Sequence, residues 1–199
     1  MAGVINTLCD FADQTAATSC GEALSGIATT VYIGFKNDLK GDYPKLMTPG
    51  AEASDFALEE YAKISDTPGF VFKAGKHFYK WEFDTESGQL TSSSSGQQKG
   101  FVQTFTFLMK NMTPELSALM RNLNNRKDVF FLFPEEDHYV AIYDPDRNVN
   151  IADGGIAYDS GKAAGDDSGT TVSVTLPTRL PKTYYYGTVS TEPAVESGS

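Results

Sequence analysis

Residues 100–144 constrain the fold more than any other part of the chain. Residues 101–109 (FVQTFTFLM) have the period of two that is typical of a β-strand, and apolar side chains on both faces predict a strand covered on both sides. Thr113 and Pro114 then supply an N-cap and a first helical residue, where the N–H that proline lacks has no partner inside the helix. This segment predicts a strand followed by a helix at about 113–125.

The predicted helix has a single narrow apolar stripe, made by leucine and methionine side chains between residues 116 and 123. Two more apolar runs follow, at residues 129–133 and 139–143, and each has the length of a strand. The order strand, helix, strand, strand predicts a sheet with one helix packed on it.

The rest of the chain adds short strand patterns and no internal repeat. Residues 27–35, 76–84, 171–176 and 184–186 predict further strands. In residues 51–64 apolar side chains return at helical intervals, which allows a second short helix. We therefore expect a mainly β protein, an antiparallel β-sandwich or flattened barrel with one flanking α-helix.

The chain has 199 residues, of which 40% are hydrophobic, enough for one substantial core. We expect an N-terminal arm at 1–26, a single β-sandwich domain at 27–188 and a flexible C-terminal tail at 189–199. Residues 86–99 include the run Ser92–Gly96 (SSSSG), too poor in apolar side chains to pack alone, and predict a mobile loop or hairpin tip.

Charge narrows the classes of function. Sixteen basic against 26 acidic residues give a net charge of −10, which disfavours a surface that grips nucleic-acid phosphates. The first basic residue is Lys36, so the N-terminus lacks the basic region of a secretory signal. The longest uninterrupted apolar run, residues 129–133, is far too short to cross a membrane, and we expect no membrane partner.

One group of carboxylates resembles a metal loop. Asp144, Asp146, Asn148 and Asn150 stand two apart, as in the first half of a calcium loop, where alternating oxygen ligands converge on the ion. The pattern then fails, since Gly155 stands where a bidentate glutamate is needed. These residues form a weak calcium candidate, and the alternative is a turn built from Asx geometry.

The histidines, cysteines and remaining carboxylates do not indicate a particular reaction. His77 and His138 both lie on strand patterns and read as hydrogen-bonded structural histidines. Cys9 and Cys20 are either a disulfide pair or two free thiols, and the lack of an export signal favours free thiols. Glu135, Glu136, Asp137 and Asp153 join the aspartates above in an acidic group from which no catalytic pair stands out. No phosphate-binding loop, dinucleotide motif or nucleophile elbow is present in the sequence, so we expect neither an enzyme nor a cofactor.

The number of aromatic residues points to a surface that binds a partner. The chain has 13 Phe and 10 Tyr, many on runs with two apolar faces. Apolar surface beyond what a one-helix sandwich needs predicts a partner surface, and self-assembly would use it.

The region from about residue 75 to 187 resembles the tail tube proteins of long-tailed bacteriophages, as found in phages and prophages of gut Bacteroidetes. The resemblance rests on residues 75–83 (GKHFYKWEF) before the serine-rich segment, 100–107 (GFVQTFTF), the helix at 114–123 and the strand pair 127–133 and 139–143. A Gly-Gly turn and residues 160–162 (SGK) leading to 169–176 complete the pattern.

This resemblance implies a structural virion protein, made in the bacterial host cytoplasm, whose copies form hexameric rings. It implies that inner strands of the rings join in one barrel and that stacked rings make a channel with an acidic lumen, through which double-stranded DNA passes. Partners would be the chain itself and other tail proteins. Two alternatives stay open: a related tail-end, baseplate or connector ring protein, and a carbohydrate-binding or adhesin sandwich.

Overall fold

The computed structural model describes residues 4–5, 28–41, 43–46, 56–84, 86–96, 100–162 and 168–195. In chain order the strands are β1 (Val4–Ile5), β2 (Thr30–Phe35), β3 (Phe56–Ala57), β4 (Tyr79–Glu82), β5 (Gln89–Ser95), β6 (Gly100–Lys110), β7 (Val129–Glu135), β8 (His138–Ile142), β9 (Asn150–Asp159), β10 (Gly169–Thr178) and β11 (Tyr184–Tyr185). The one α-helix in these ranges, α1, spans Pro114–Asn125.

Two antiparallel sheets make up the fold. The first has four strands in the order β5-β6-β10-β9, and the second has five in the order β11-β8-β7-β2-β4. β1 and β3 form a separate short ribbon. Neither main sheet closes on itself among the described residues, so of the two predicted forms the structure is the sandwich.

The space between the two sheets is an aromatic core. Phe105 and Phe107 point from β6 toward β7, where Phe133 stacks on Phe105 with ring centroids 5.1 Å apart. Helix α1 adds Met120 and Leu123 to the same core. Its predicted N-cap is confirmed, because the Leu116 N–H donates to Thr113 Oγ1 at 3.1 Å. α1 also contacts β9.

The five-stranded sheet has a second core on its other face. There Phe130, Tyr143 and Tyr185 pack against Phe70 and Phe78 from the irregular segment before β4. Residues 129–133 are buried on both faces for this reason, with relative exposures of 0–2%. The aromatic surplus that predicted a partner surface is therefore covered by the chain itself in this sheet.

The structure refines two predictions. The short second helix that the sequence allows at 51–64 is, over the described residues, a 3₁₀ helix at Leu58–Ala62 that follows β3. After this helix the backbone is extended, because the Ile64 N–H donates to the Tyr184 carbonyl at 2.8 Å. In the tail expected to be flexible at 189–199, Ala194 is held by the backbone, since its carbonyl accepts from the Gly75 N–H at 2.9 Å, whereas Val195 is 92% exposed. Residues 196–199 and most of the predicted arm lie outside the described ranges. No helix in the described part has the length and apolar character needed to span a membrane.

Candidate functional site

The loop after β8 contains the calcium candidate, and a lysine lies at its centre. The Lys36 ammonium donates to the carbonyl oxygens of Asp144 and Arg147 at 2.6 Å each and to Asn148 Oδ1 at 3.2 Å. Lysine has three donors, and all three are used here. Asn150 begins β9 and is exposed. Of the four predicted ligands only Asn148 directs its side-chain oxygen to the ammonium, and the other two acceptors are backbone carbonyls.

The carboxylate of Asp144 shapes this loop from within. It is 3% exposed, and its Oδ1 accepts from the backbone N–H groups of Asp146 and Arg147 at 2.9 and 3.1 Å. Burial lowers the pKa of Lys36 below its ordinary value, while the charges of Asp144 and Asp146 oppose that shift. No group of three or more metal-binding side chains occurs among the described residues. We name this arrangement, Lys36 with residues 144–148, the lysine-centred loop.

The remaining acidic residues do not converge on the lysine-centred loop. Glu135 and Asp137 lie at the β7–β8 turn, where His138 Nδ1 is 2.9 Å from Asp137 Oδ1 and Nε2 is 3.1 Å from Glu135 Oε2. Glu135 also pairs with Lys182. The hydrogen bond from His138 lowers the pKa of Asp137. His138 is thus held on both sides by carboxylates.

Other candidate residues are dispersed. His77 packs its ring against Tyr79 with centroids 4.7 Å apart, far along the chain from His138. Glu136 is exposed at the tip of the β7–β8 turn. Cys9, Cys20 and the side chain of Asp153 lie outside the described residues, so the choice between free thiols and a disulfide stays a prediction.

An apolar cleft of about 430 Å³ lies between α1 and the edge strand β4. Tyr79, Trp81 and Leu119 line it, and Tyr79 and Leu119 are 38% and 39% exposed. Arg126 closes one side, with its guanidinium 3.9 Å from the ring centroid of Phe35. The cleft offers aromatic faces and a cation and has no carboxylate in its lining.

The four-stranded sheet ends in two long edges. β5 and β9 are its outermost strands, and neither pairs with a further strand in the described ranges. β5 has no charge and no proline, and it pairs with β6 over seven residues without a register shift. Proteins usually protect an edge with lysine, proline or a bulge. β9 has an irregularity opposite residues 172–174, but β5 has none of these protections.

The outer face of the same sheet is uncharged over most of its strand-paired positions, and its charged residues, Lys110 and Asp159, lie in the row where Gly169 pairs with both. The face consists of alternate residues from 89 to 95 on β5, from 102 to 110 on β6 and from 169 to 177 on β10, with Asn150, Ala157 and Asp159 on β9. Eight of these side chains are threonine or serine, and Thr106 and Ser173 hydrogen-bond across the strands at 3.0 Å. We call this surface the hydroxyl face.

Comparison of the chain with protein-family models, curated proteins and solved structures finds no match. The edge strand β5 was missed by sequence reasoning, which predicted a mobile loop or hairpin tip at 86–99. The signal that was available is the length of residues 89–95, a run without glycine, proline or charge beside a strong strand pattern.

Proposed function

We propose that the chain is a structural subunit of a phage tail tube, whose copies form hexameric rings that stack around a channel for DNA. The observation that carries this proposal is the pair of edges on opposite sides of one sheet, β5 and β9, which have no further strand partner among the described residues. An unprotected strand of seven residues is a template for another strand. The sequence resemblance supplies the class of assembly, and the edges supply a way to build it.

The two edges suit a ring because they differ. If β5 of one copy pairs with β9 of the next, the contact is heterologous, and such contacts generate rings when the rotation closes. β9 is exposed along much of its length, with Tyr158 62% exposed. The five-stranded sheet has no comparable pair, since its edges β11 and β4 have two and four residues.

A proline scan of β5 tests the proposal. Neighbouring residues of an antiparallel edge strand alternate, one with its N–H toward β6 and the next with its N–H toward the open edge. Of Thr91→Pro and Ser92→Pro, we expect one to lower the Tm of the monomer and the other to keep that Tm but lose assembly. The measurements are thermal unfolding, light scattering after size-exclusion chromatography, and negative-stain microscopy of rings or tubes.

Each variant of this pair is the control for the other, because both place the same residue in the same strand. Rings or tubes from wild-type protein, lost in the variant with the unchanged Tm, support the proposal. Assembly that survives in that variant contradicts it, as does a wild-type protein that stays monomeric at high concentration. Rings that never stack into tubes favour the tail-end, baseplate or connector alternative.

The cleft beside α1 favours a second candidate, the carbohydrate-binding sandwich. Tyr79 and Trp81 present aromatic faces, and Asn122 and Asn125 add amide groups to the lining, which together suit the stacking and hydrogen bonding of a sugar. For this candidate we expect a monomer that binds glycans and loses binding at least tenfold in Trp81→Ala. A glycan array followed by calorimetry measures this, with the exposed Tyr158→Ala as the control.

A further inference from the structure

The outer edge of β4 carries backbone groups that no strand among the described residues uses. The Phe83 N–H donates to the Thr29 carbonyl at 2.9 Å, so these two residues form a hydrogen-bonded pair where β4 meets β2. Hydrogen-bonded and non-bonded pairs alternate along an antiparallel ladder, so the N–H and C=O groups of Lys80 and Glu82 point away from β2. β4 is the last strand on its side of the sheet. Lys80 and Glu82 can therefore pair with one more strand.

This edge is one wall of a groove whose other wall is α1. The apolar cleft of about 430 Å³ continues into a second hollow of about 270 Å³, and Trp81 and Leu119 line both. The side chains of Lys80 and Glu82 alternate with those of Tyr79 and Trp81 along the strand and pair with each other at 2.7 Å. The groove thus combines apolar side chains with open backbone groups along one wall.

The two ends of the groove differ in charge. Glu115 lines the end near the start of α1, and Arg126 lines the end near its last residue. Asp128 accepts from two of the five N–H groups of the Arg126 guanidinium, at 2.8 and 2.9 Å, and no other acceptor in the described part of the chain bonds to the remaining three. One end can therefore bind a cation and the other a carboxylate.

We propose that this groove binds an extended peptide of another protein, which pairs with β4 as a sixth strand of the five-stranded sheet. Strand addition of this kind combines backbone hydrogen bonds with pockets for alternate side chains. The side chains that enter the cleft meet Trp81 and Leu119, so they are apolar. The groove belongs to the five-stranded sheet, so the inference involves neither the hydroxyl face nor the β5 and β9 edges and does not depend on the proposed function.

The direction and length of the peptide follow from the two walls. β4 runs from Tyr79, in the hollow that Arg126 lines, to Glu82, in the hollow that Glu115 lines. An antiparallel peptide, the more stable arrangement, runs the other way, with its basic or amino end near Glu115 and its carboxylate near Arg126. These two residues are roughly 16 Å apart along the helix, which about five extended residues cover.

Affinity selection from a soluble library of random hexapeptides with free ends tests the groove, with the full chain immobilised and the retained peptides identified by mass spectrometry. We expect wild-type protein to retain peptides with apolar residues at alternate positions. By calorimetry, Leu119→Gln should bind a resynthesised peptide about tenfold more weakly or worse. Arg121→Gln is the control, since Arg121 is exposed on α1 and does not line the groove, and it should bind as the wild type does. Thermal unfolding checks that both variants fold.

Methylation of the peptide backbone distinguishes strand addition from other modes of binding. In a peptide paired with β4, only every second N–H points toward β4. Methylation of one nitrogen at a time should lower the affinity about tenfold at alternate positions and change it less than about threefold between them. A loss of affinity without this alternation overturns the inference, as does a wild-type protein that retains no peptide.

The charged ends are tested with the same peptide. Removing the negative charge at its carboxyl end should weaken binding to the wild type and to Arg121→Gln about tenfold, but should change binding to Arg126→Gln little. An equal cost in all three proteins overturns the inference. A protein that retains no peptide but binds glycans through Trp81 overturns it in favour of the carbohydrate-binding candidate.

Discussion

Lys36→Met is expected to lower the free energy of unfolding by about 3–5 kcal/mol, the usual cost of removing one partner from a buried charged network. Lys36 is 5% exposed, and its ammonium is the donor for the Asp144 and Arg147 carbonyls and for Asn148 Oδ1. Methionine fills similar space but donates nothing. The three acceptors lose their bonds, and the buried Asp144 carboxylate loses its neighbouring positive charge.

Guanidinium denaturation followed by the fluorescence of Trp81, the single tryptophan, measures the effect. For a chain of this size we expect a fall in Tm of roughly 10 °C. Lys73→Met is the matched control. The Lys73 side chain is exposed and donates only to the Asn37 carbonyl, at 2.7 Å, so the Lys73→Met protein should be about as stable as the wild type.

A second substitution separates charge from packing. Asp144→Asn removes the buried negative charge and keeps a side-chain oxygen that can accept from the loop N–H groups. In the Lys36→Met background, Asp144→Asn should recover part of the lost free energy of unfolding. As a single substitution, Asp144→Asn should lower the free energy of unfolding. Strictly additive effects in this cycle, or a Lys36→Met variant as stable as Lys73→Met, would show that the ammonium does not hold the loop.

The elements that depend on local chemistry were predictable. Helix α1 begins at Pro114, one residue after the predicted cap Thr113, because that cap acts within its own turn. The pair β7 and β8 and the strand β10 follow from apolar runs and alternation that no other structure satisfies as well. The short edge strand β11 lies where residues 184–186 predicted it.

The elements that depend on distant partners could not be assigned from local sequence pattern alone. In β5 only Leu90 is partly buried, so its sequence has no alternation of apolar and polar residues. It is a strand because its backbone pairs with that of β6. Lys36 lies 108 residues before Asp144 in the chain, and no spacing rule connects them. The 3₁₀ helix at Leu58–Ala62 stops before Ile64, whose N–H donates to the Tyr184 carbonyl at 2.8 Å, so a tertiary hydrogen bond takes the place of a longer helix.

Gly34→Ala is expected to cost about 2–3 kcal/mol, although alanine usually stabilises a strand relative to glycine. Gly34 lies opposite Phe130 in the β2–β7 pair, and no bulge interrupts that register. A Cβ at Gly34 would lie 2.4–2.9 Å from three ring atoms of Phe130. The ring cannot turn aside, because Phe70 stacks on it at 4.8 Å and Tyr143 contacts it at 5.3 Å.

A control and a rescue make this prediction specific. Gly100→Ala, in β6, should change stability by no more than about 0.5 kcal/mol, since the nearest atom to its new Cβ is Thr178 O at an ordinary 3.4 Å. Phe130→Leu should destabilise by itself through lost packing. In Gly34→Ala/Phe130→Leu the smaller side chain makes room for the methyl group, so the double variant should be more stable than the sum of the single effects by about 1 kcal/mol or more. A coupling near zero would mean that the strands shift to accommodate the methyl group, and the close fit of Phe130 over Gly34 would then not be what fixes the register of β2 against β7.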